Sequence, residues 1–406
     1  GRLDEEERDL LQALCVHSTP VPVRIIDDLG EVAAGAMLRL TDRNLLTRRM
    51  VSEEVCLAFT HERVREAVLR DMDPEVRGQR HCAAAAWIER NRPIEASIEA
   101  LASHWRLGGR PDRAMSFLLE AAHRAGTAGD TLRAVRTFEQ ALETLPQMGF
   151  GVLRRLRTEA EIVHPLAEAE RAIGRFEEAE RDFRRLVEIG RDLEDQSLVQ
   201  TGLDRLSLLM LEIGRLEEAL RFADDRLEMA RRDGDVRHQA LALRIIGAVR
   251  RELDGHEASI AALSEALEVA GDDPDLADVR ARIALGLSFA CSAQGDPAQG
   301  LVWAEYCLNI SRERGMGELE VSSLINISMA HFMAGRPEKT LLAAREAVAL
   351  SRERGLHRNT AIALGNVGDA LRVLGRFAES EQALRQSLRA SYRLARTERV
   401  VARLVE

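Results

Sequence analysis

A glycine-centred turn recurs about every 40 residues through the second half of the chain, and nothing else in the sequence restricts the fold as much. It reads GRFEEAE at Gly174, GRLEEAL at Gly214, GDPAQGL at Gly295, GRPEKTL at Gly335 and GRFAESE at Gly375, with DGHEASI placing the remaining turn at Asp254-Gly255. The steps are 40, 40, 41, 40 and 40 residues. A second ladder of Val187, Leu227, Leu267, Leu308, Val348 and Leu388 follows each turn by 12 or 13 residues and keeps the same steps. Two independent ladders in register mark a stacked repeat, whose units cannot bury their apolar faces alone.

Each unit reads as two helices. Before the turn, apolar positions recur at helical spacing: Leu203, Leu206 and Met210; Leu324, Ile327 and His331; Leu364, Val367 and Leu371. A small residue (Ser207, Gly247, Ser288, Ser328, Gly368) follows the middle position and permits close helix approach. After the turn, Ala219, Ala223 and Leu227 form an i, i+4, i+8 stripe, as do Ala344, Val348 and their neighbours. The glycine ends the first helix through a left-handed cap. Pro297 and Pro337 stand at first-turn positions, where proline loses no helical hydrogen bond. Composition agrees: aromatics are only 4% of the 406 residues, and Ala, Leu, Arg and Glu dominate.

This pattern resembles the tetratricopeptide repeat, over six units spanning roughly 151–391. The usual period is 34, so these units are about six residues longer. The extra length falls around ARRDGDVRHQ and SRERGLHRNT. The resemblance implies an all-α protein, a right-handed α-α superhelix of tetratricopeptide-like repeats with a period of about 40. Three parts are expected: a winged-helix-like module at 1–70, a helical linker with irregular repeats at 71–150, and the repeat superhelix at 151–406. Linker helices are expected at 76–91, 94–107, 112–126 and 130–145. Another is expected at 151–173, kinked or begun irregularly at Pro165.

In residues 1–70, helices are expected at 4–15, 22–29 and 32–43. LLTRRM and VCLAFT then read as two short strands about a Ser52-Glu53-Glu54 turn, and three helices with a hairpin make a winged helix. Its 10 Arg and 13 Asp/Glu give a net charge of -3. Arg39, Arg43, Arg48 and Arg49 form one local basic cluster, which is modest beside the several phosphates a duplex-binding surface neutralises. Nucleic acid is therefore not the expected partner, and a packing module is the plainer reading.

Phe59, His61, Arg65, Glu66, Ala67 and Val68, with Ala102, His104 and Trp105 in the next helices, resemble the segment downstream of the nucleotide-binding domain in bacterial signal-transduction ATPases of the STAND type, such as maltose-regulon-activator-like regulators. That resemblance implies a regulatory or sensor region of such an ATPase, binding a protein, a peptide or a small-molecule inducer in the repeat groove. It places ATP or ADP in a domain upstream of this chain, since no GxxxxGK[ST] occurs here. The chain starts at Gly1 without Met, which fits an excised or processed fragment. The alternatives are a stand-alone scaffold for protein–protein interaction and a DNA-binding transcriptional regulator.

No GxSxG, HExxH or kinase signature appears, and the ten histidines form no HxxxH or CxxH pair. The chain is not expected to be an enzyme, a metal protein or a cofactor carrier. Five widely spaced cysteines read as buried apolar residues in a reducing cytoplasm. No run of apolar residues is long enough to span a bilayer. Val400, Val401, Leu404 and Val405 suggest an apolar carboxy-terminal edge and self-association.

The functional surface is the groove. By the resemblance, it is lined by Asp204, Arg205, Arg244, Arg251, Phe289, Asn326, Met329, Phe332, Asn366, Asp369 and Arg372 on the first helices. Asn326 and Asn366 occupy equivalent positions nine residues before the glycine, where an amide bonds either an extended peptide or the neighbouring repeat. The arginines suit a carboxylate or phosphate, or simply face solvent.

Overall fold

The structure, a computed structural model, describes residues 3–17, 20–51, 53–91 and 98–403, with side chains described through residue 391 except at residue 27. The chain divides into two compact units, Gly1–Ala169 and Glu170–Glu406.

The first unit contains α1 (Glu5–Cys15), β1 (Val21–Pro22), α2 (Ile25–Leu29), α3 (Glu31–Asp42), β2 (Leu46–Val51), β3 (Glu54–Phe59), α4 (Glu62–Asp71), α5 (Pro74–Asn91), α6 (Ile98–Leu107), α7 (Pro111–Thr127) and α8 (Thr131–Thr144). A capping box starts α1: Asp4 accepts from the Glu7 amide at 2.7 Å, and Glu7 accepts from the Asp4 amide at 3.1 Å. The three strands pair antiparallel in the order β1-β3-β2, with Leu46 opposite Phe59 and Val21 opposite Leu57. Helix, strand, two helices and a hairpin follow one another in chain order.

The expected helix from residue 22 starts only at Ile25, because Val21 and Pro22 add an edge strand to the sheet. A proline is tolerated at such an edge, where no ladder hydrogen bond needs its missing N–H. Residues 94–97 of the expected linker helix lie outside the described residues. The next helix, α9 (Val152–Ala172), crosses the boundary between the units and runs through Pro165 without interruption. Pro165 therefore lies in the helix interior and does not mark an irregular start.

The second unit continues with α10 (Phe176–Asp192), α11 (Gln196–Glu212), α12 (Leu216–Asp233), α13 (Val236–Leu253), α14 (His256–Ala270), α15 (Ala277–Gln294), α16 (Pro297–Glu313), α17 (Gly317–Met333), α18 (Pro337–Glu353), α19 (His357–Val373) and α20 (Phe377–Arg403). It is a stacked series of helix pairs forming a tetratricopeptide-like superhelical repeat. The turn glycines take the left-handed conformation the sequence requires of them, with φ between 69° and 106° from Gly174 to Gly375. Pro297 and Pro337 open α16 and α18.

The 40-residue period is built from helix rather than loop. In α17 and α18, two 17-residue helices and two three-residue links make one unit. ARRDGDVRHQ is thus the last turn of α12, a two-residue link and the first turn of α13.

The core is made of small aliphatic residues. Ala219, Ala223, Ala344 and Ala347 are fully buried, and Leu364 and Val367 pack in the same cluster as Ala344. Gly368 lets α19 approach α20 until a built Cβ would lie 2.5 Å from Leu384 Cγ. Along the second helices, long side chains bridge successive units: Arg231 to Glu265 at 2.9 Å and Arg312 to Glu346 at 2.6 Å. These exposed pairs contribute at most about 1 kcal/mol each.

Candidate functional site

Helices α11, α13, α15, α17 and α19 pack successively on one another, whereas contacts of that extent do not link α12, α14, α16 and α18. The first helices are therefore the crowded inner layer, and their free face lines the inside of the array. Counted from the small residue (Ser207, Gly247, Ser288, Ser328, Gly368), the face is set by positions three and two before it and one and four after it. Successive units place Asp204, Arg244, Leu285, Ile325 and Gly365 at the first of these positions. Arg205, Gly286, Asn326 and Asn366 hold the second, where Ile245 is wholly buried; Leu208, Ala248, Phe289, Met329 and Asp369 the third; Leu211, Arg251, Phe332 and Arg372 the fourth, where Ser292 is wholly buried. The small residues and the stripes repeat, while this face changes from unit to unit.

At the α11–α15 end the face is basic. Arg226 on α12 is 2% exposed and its Nη1 lies 2.8 Å from Asp204 Oδ1. Arg244 on α13 is partly buried, and its buried Nε has no hydrogen-bond partner. Burial pushes the Arg244 guanidinium below its usual range; Asp204 opposes this, while Arg282, Arg226 and Arg205 reinforce it. Burial acts in the same direction on Arg226, against Asp204 and Asp235. Two turns along, Arg251 stacks over the Phe289 ring at 5.0 Å, and the His256 ring lies 6.1 Å from the same ring.

Sequence reasoning missed two members of this cluster. Arg282 stands one turn before Leu285 on the same face, and extending the register would have found it. Arg226 belongs to a second helix, and nothing in its spacing shows that it reaches Asp204.

At the α17–α19 end the amides are engaged. Asn326 Nδ2 donates to the Leu285 carbonyl at 3.1 Å, and Asn366 Nδ2 donates to Ser328 Oγ at 2.7 Å. Both bonds join consecutive first helices, which is the within-fold role the sequence left open. An Asn326→Ala, Asn366→Ala double variant is expected to lower unfolding stability by about 2 kcal/mol, from two bonds of about 1 kcal/mol each. Denaturant titration of the whole chain checks it, and a midpoint unchanged from wild type would refute it. Phe332 is 37% exposed, Met329 is partly buried, and Asp369 lies 3.6 Å from its own-helix neighbour Arg372.

In the first unit, two of the four arginines of the basic cluster, Arg39 and Arg43, are committed to carboxylates, while Arg48 and Arg49 are exposed. Arg39 reaches Asp4 at 3.4 Å, Glu6 at 2.6 Å and Glu7 at 3.8 Å, and Arg43 reaches Glu7 at 2.5 Å. Cations held by α1 are not free to neutralise phosphates. Arg65 donates to the Cys15 carbonyl at 3.1 Å, and Phe59 and Val68 pack on the Cys15–Met72 cluster. His104 shares a 3.0 Å hydrogen bond with His81 (Nδ1 to Nδ1), and its ring centroid lies 5.0 Å from that of His17. These side chains hold the module together.

Among the described residues, no group of three or more His, Cys, Asp or Glu side chains could hold a metal ion. No described helix is long and apolar enough to cross a membrane. Val400, Val401, Leu404 and Val405 lie outside the residues whose side chains are described.

The tetratricopeptide repeat family profile matches residues 360–393. No curated protein matches the chain. Among solved structures, aspartyl phosphate phosphatase F from Bacillus subtilis is 12% identical, with a TM-score of 0.57 over 96% of this chain and 95% of that one. The Rap conjugation gene regulator of plasmid pLS20, in complex with the Phr* peptide, is 14% identical, with a TM-score of 0.54 over 96% of each chain. A STAND protein with a tetratricopeptide repeat sensor from Pyrococcus horikoshii is 16% identical, with a TM-score of 0.49 over 98% of this chain and 66% of that one. At these identities the first two show a shared fold alone.

Proposed function

We propose that the chain is a non-catalytic regulatory module that binds an extended peptide, or a peptide segment of a protein, along the inner face of α11–α19. One observation carries the reading. The repeats agree where they pack and differ where they face the groove, passing from Arg205 and Arg244 through Phe289 and Met329 to Asn366 and Asp369. A surface whose chemistry changes at each step suits a polymer whose side chains also change. The peptide in the complex of the pLS20 regulator supports this reading.

The Phe59–Val68 and Ala102–Trp105 segments support placing this module in a STAND-type signalling ATPase, with ATP or ADP bound by a domain outside this chain. The division at about residues 70 and 150 belongs to the same proposal.

Immobilised full chain should retain a discrete set of peptides from a random decapeptide library. A Phe289→Ala, Met329→Glu variant with an unchanged circular dichroism spectrum should lose them. Equal retention by both proteins would refute the groove reading. Retention of a small apolar inducer instead, with no peptide, would also overturn it.

A further inference from the structure

The helix α20 presents a face that earlier units bury. In each of those units the second helix packs against the first helix of the next: α10 on α11, α12 on α13, α14 on α15, α16 on α17 and α18 on α19. Thirteen residues after the turn glycine, Val187, Leu227, Leu308 and Val348 are therefore at most 8% exposed. Three residues further on, Ala230, Ser311 and Ser351 are wholly buried. In α20 the same two positions are Leu388, which is 58% exposed, and Ser391, which is exposed as well. Phe377 and Leu384 share this face by helical spacing and are also exposed. A helix that closes a stack against water carries polar residues on its outer side. Here the residues keep the apolar and small types of the buried interface.

We propose that this face is the interface of a symmetric dimer, in which α20 packs antiparallel on the α20 of a second copy. The proposal does not depend on the groove.

Self-complementarity is the first argument for a second copy. Each of α11, α13, α15, α17 and α19 already lies between two second helices. A second molecule therefore has none of these helices left to cover α20. What it offers is its own α20, and two such faces related by a twofold axis bury each other. The helix is long enough for this: 27 residues against 17 in α16 and α18, or about 40 Å.

Charge is the second argument, and it sets the direction. Glu379 and Glu381 stand in the first two turns of α20. Arg385, Arg389, Arg393, Arg396, Arg399 and Arg403 follow, against a single acid, Glu398. An antiparallel pair sets the acidic start of one helix beside the basic stretch of the other, whereas a parallel pair would set base beside base. Arg389 is exposed and has no ion pair among the described residues. Arg385 and Glu381 meet at 2.7 Å on their own helix, but both side chains stay more than half exposed. The opposed helix dipoles favour the same order.

The test is sedimentation velocity of the full chain over a range of concentrations and salt. The wild type should form a dimer of micromolar Kd at low ionic strength, weakening as salt screens the charges. Leu388→Glu should weaken association at least about a hundredfold, because each dimer would bury two unpaired carboxylates. Its monomer should keep the wild-type melting temperature, since Leu388 is exposed there. An Arg385→Glu, Arg389→Glu variant, altered only at exposed positions, should weaken association about tenfold at low salt and much less at high salt.

A wild type that stays monomeric throughout, or a dimer that neither variant weakens, would overturn the proposal. Loss with Leu388→Glu but not with the arginine pair would overturn the antiparallel order. A monomer that instead binds a synthetic peptide of residues 357–373 through Leu388 would also overturn it, since the face would then take a first helix and not a second copy.

Discussion

The first unit should lose stability steadily as pH falls from about 6.5 to 4, and by more than the second unit, where burial lowers His331 in the same direction but raises Glu170. Burial holds His17 and His81 down to about 4 and His104 to about 3. Repulsion adds to it: from His81 on His17, from Arg77 on His81, and from His17 and His81 on His104. The folded unit therefore keeps three neutral imidazoles, whereas the unfolded chain takes up protons near 6.5. Between those values the unfolded state binds more protons, so stability is complete above about 6.5 and drains away as pH falls through 4. At about 1.4 kcal/mol per pKa unit, and allowing for coupling within the cluster, the loss is on the order of 5 kcal/mol.

In the second unit, burial first and then repulsion from Asp182 push Glu170 up to about 8. That carboxyl is protonated in the fold and ionised in the unfolded chain between about 4.5 and 8. Its contribution therefore has the opposite sign and falls as pH rises. Hydrogen exchange read separately over residues 74–107 and 176–212, from pH 7 to 4.5, checks both. The His17→Phe variant, which removes an imidazole whose Nε2 has no partner, should reduce the acid loss by about one third. Protection of residues 74–107 that stays flat over this range would refute the account.

The second large effect is expected at the α10–α11 crossing. Gly190 and Gly202 are helical, so alanine would ordinarily stabilise by about 1 kcal/mol. Here the space is occupied. A Cβ on Gly190 would lie 2.8 Å from the Val199 backbone nitrogen, and one on Gly202 would lie 2.5 Å from Val187 Cγ2 and 3.2 Å from its backbone nitrogen. Relieving those contacts means moving one helix axis off the other. Gly190→Ala is expected to cost about 2–3 kcal/mol net and to lower the urea midpoint, with Gly202→Ala close behind. Gly368→Ala should cost less, because its clash is with the Leu384 side chain rather than with backbone. Equal effects at Gly190 and Gly368 would show that helix spacing is not what limits the site.

The repeat architecture is legible from residues because its signals are local. A glycine that must adopt positive φ, a proline that fits only a first turn and an alanine stripe at i, i+4 each act within a few residues. That is why every turn from Gly174 to Gly375 lies where the ladder puts it. The two-residue strand β1 escaped because Val21 and Pro22 are too few to show alternation, and their pairing with Leu57 and Cys56 is a long-range choice.

The groove divides in the same way. Sequence register determined which positions of α11, α13, α15, α17 and α19 share a face, since a helix fixes side-chain direction every 3.6 residues. Only the tertiary structure decided what those side chains do. It engages Asn326 and Asn366 with the preceding unit and brings Arg226 from α12 to Asp204. It gathers His17, His81 and His104 from three distant segments. The physical reason is range. Backbone propensity and periodicity are properties of neighbouring residues, whereas burial, ion pairing and pKa depend on what the stacked helices bring together.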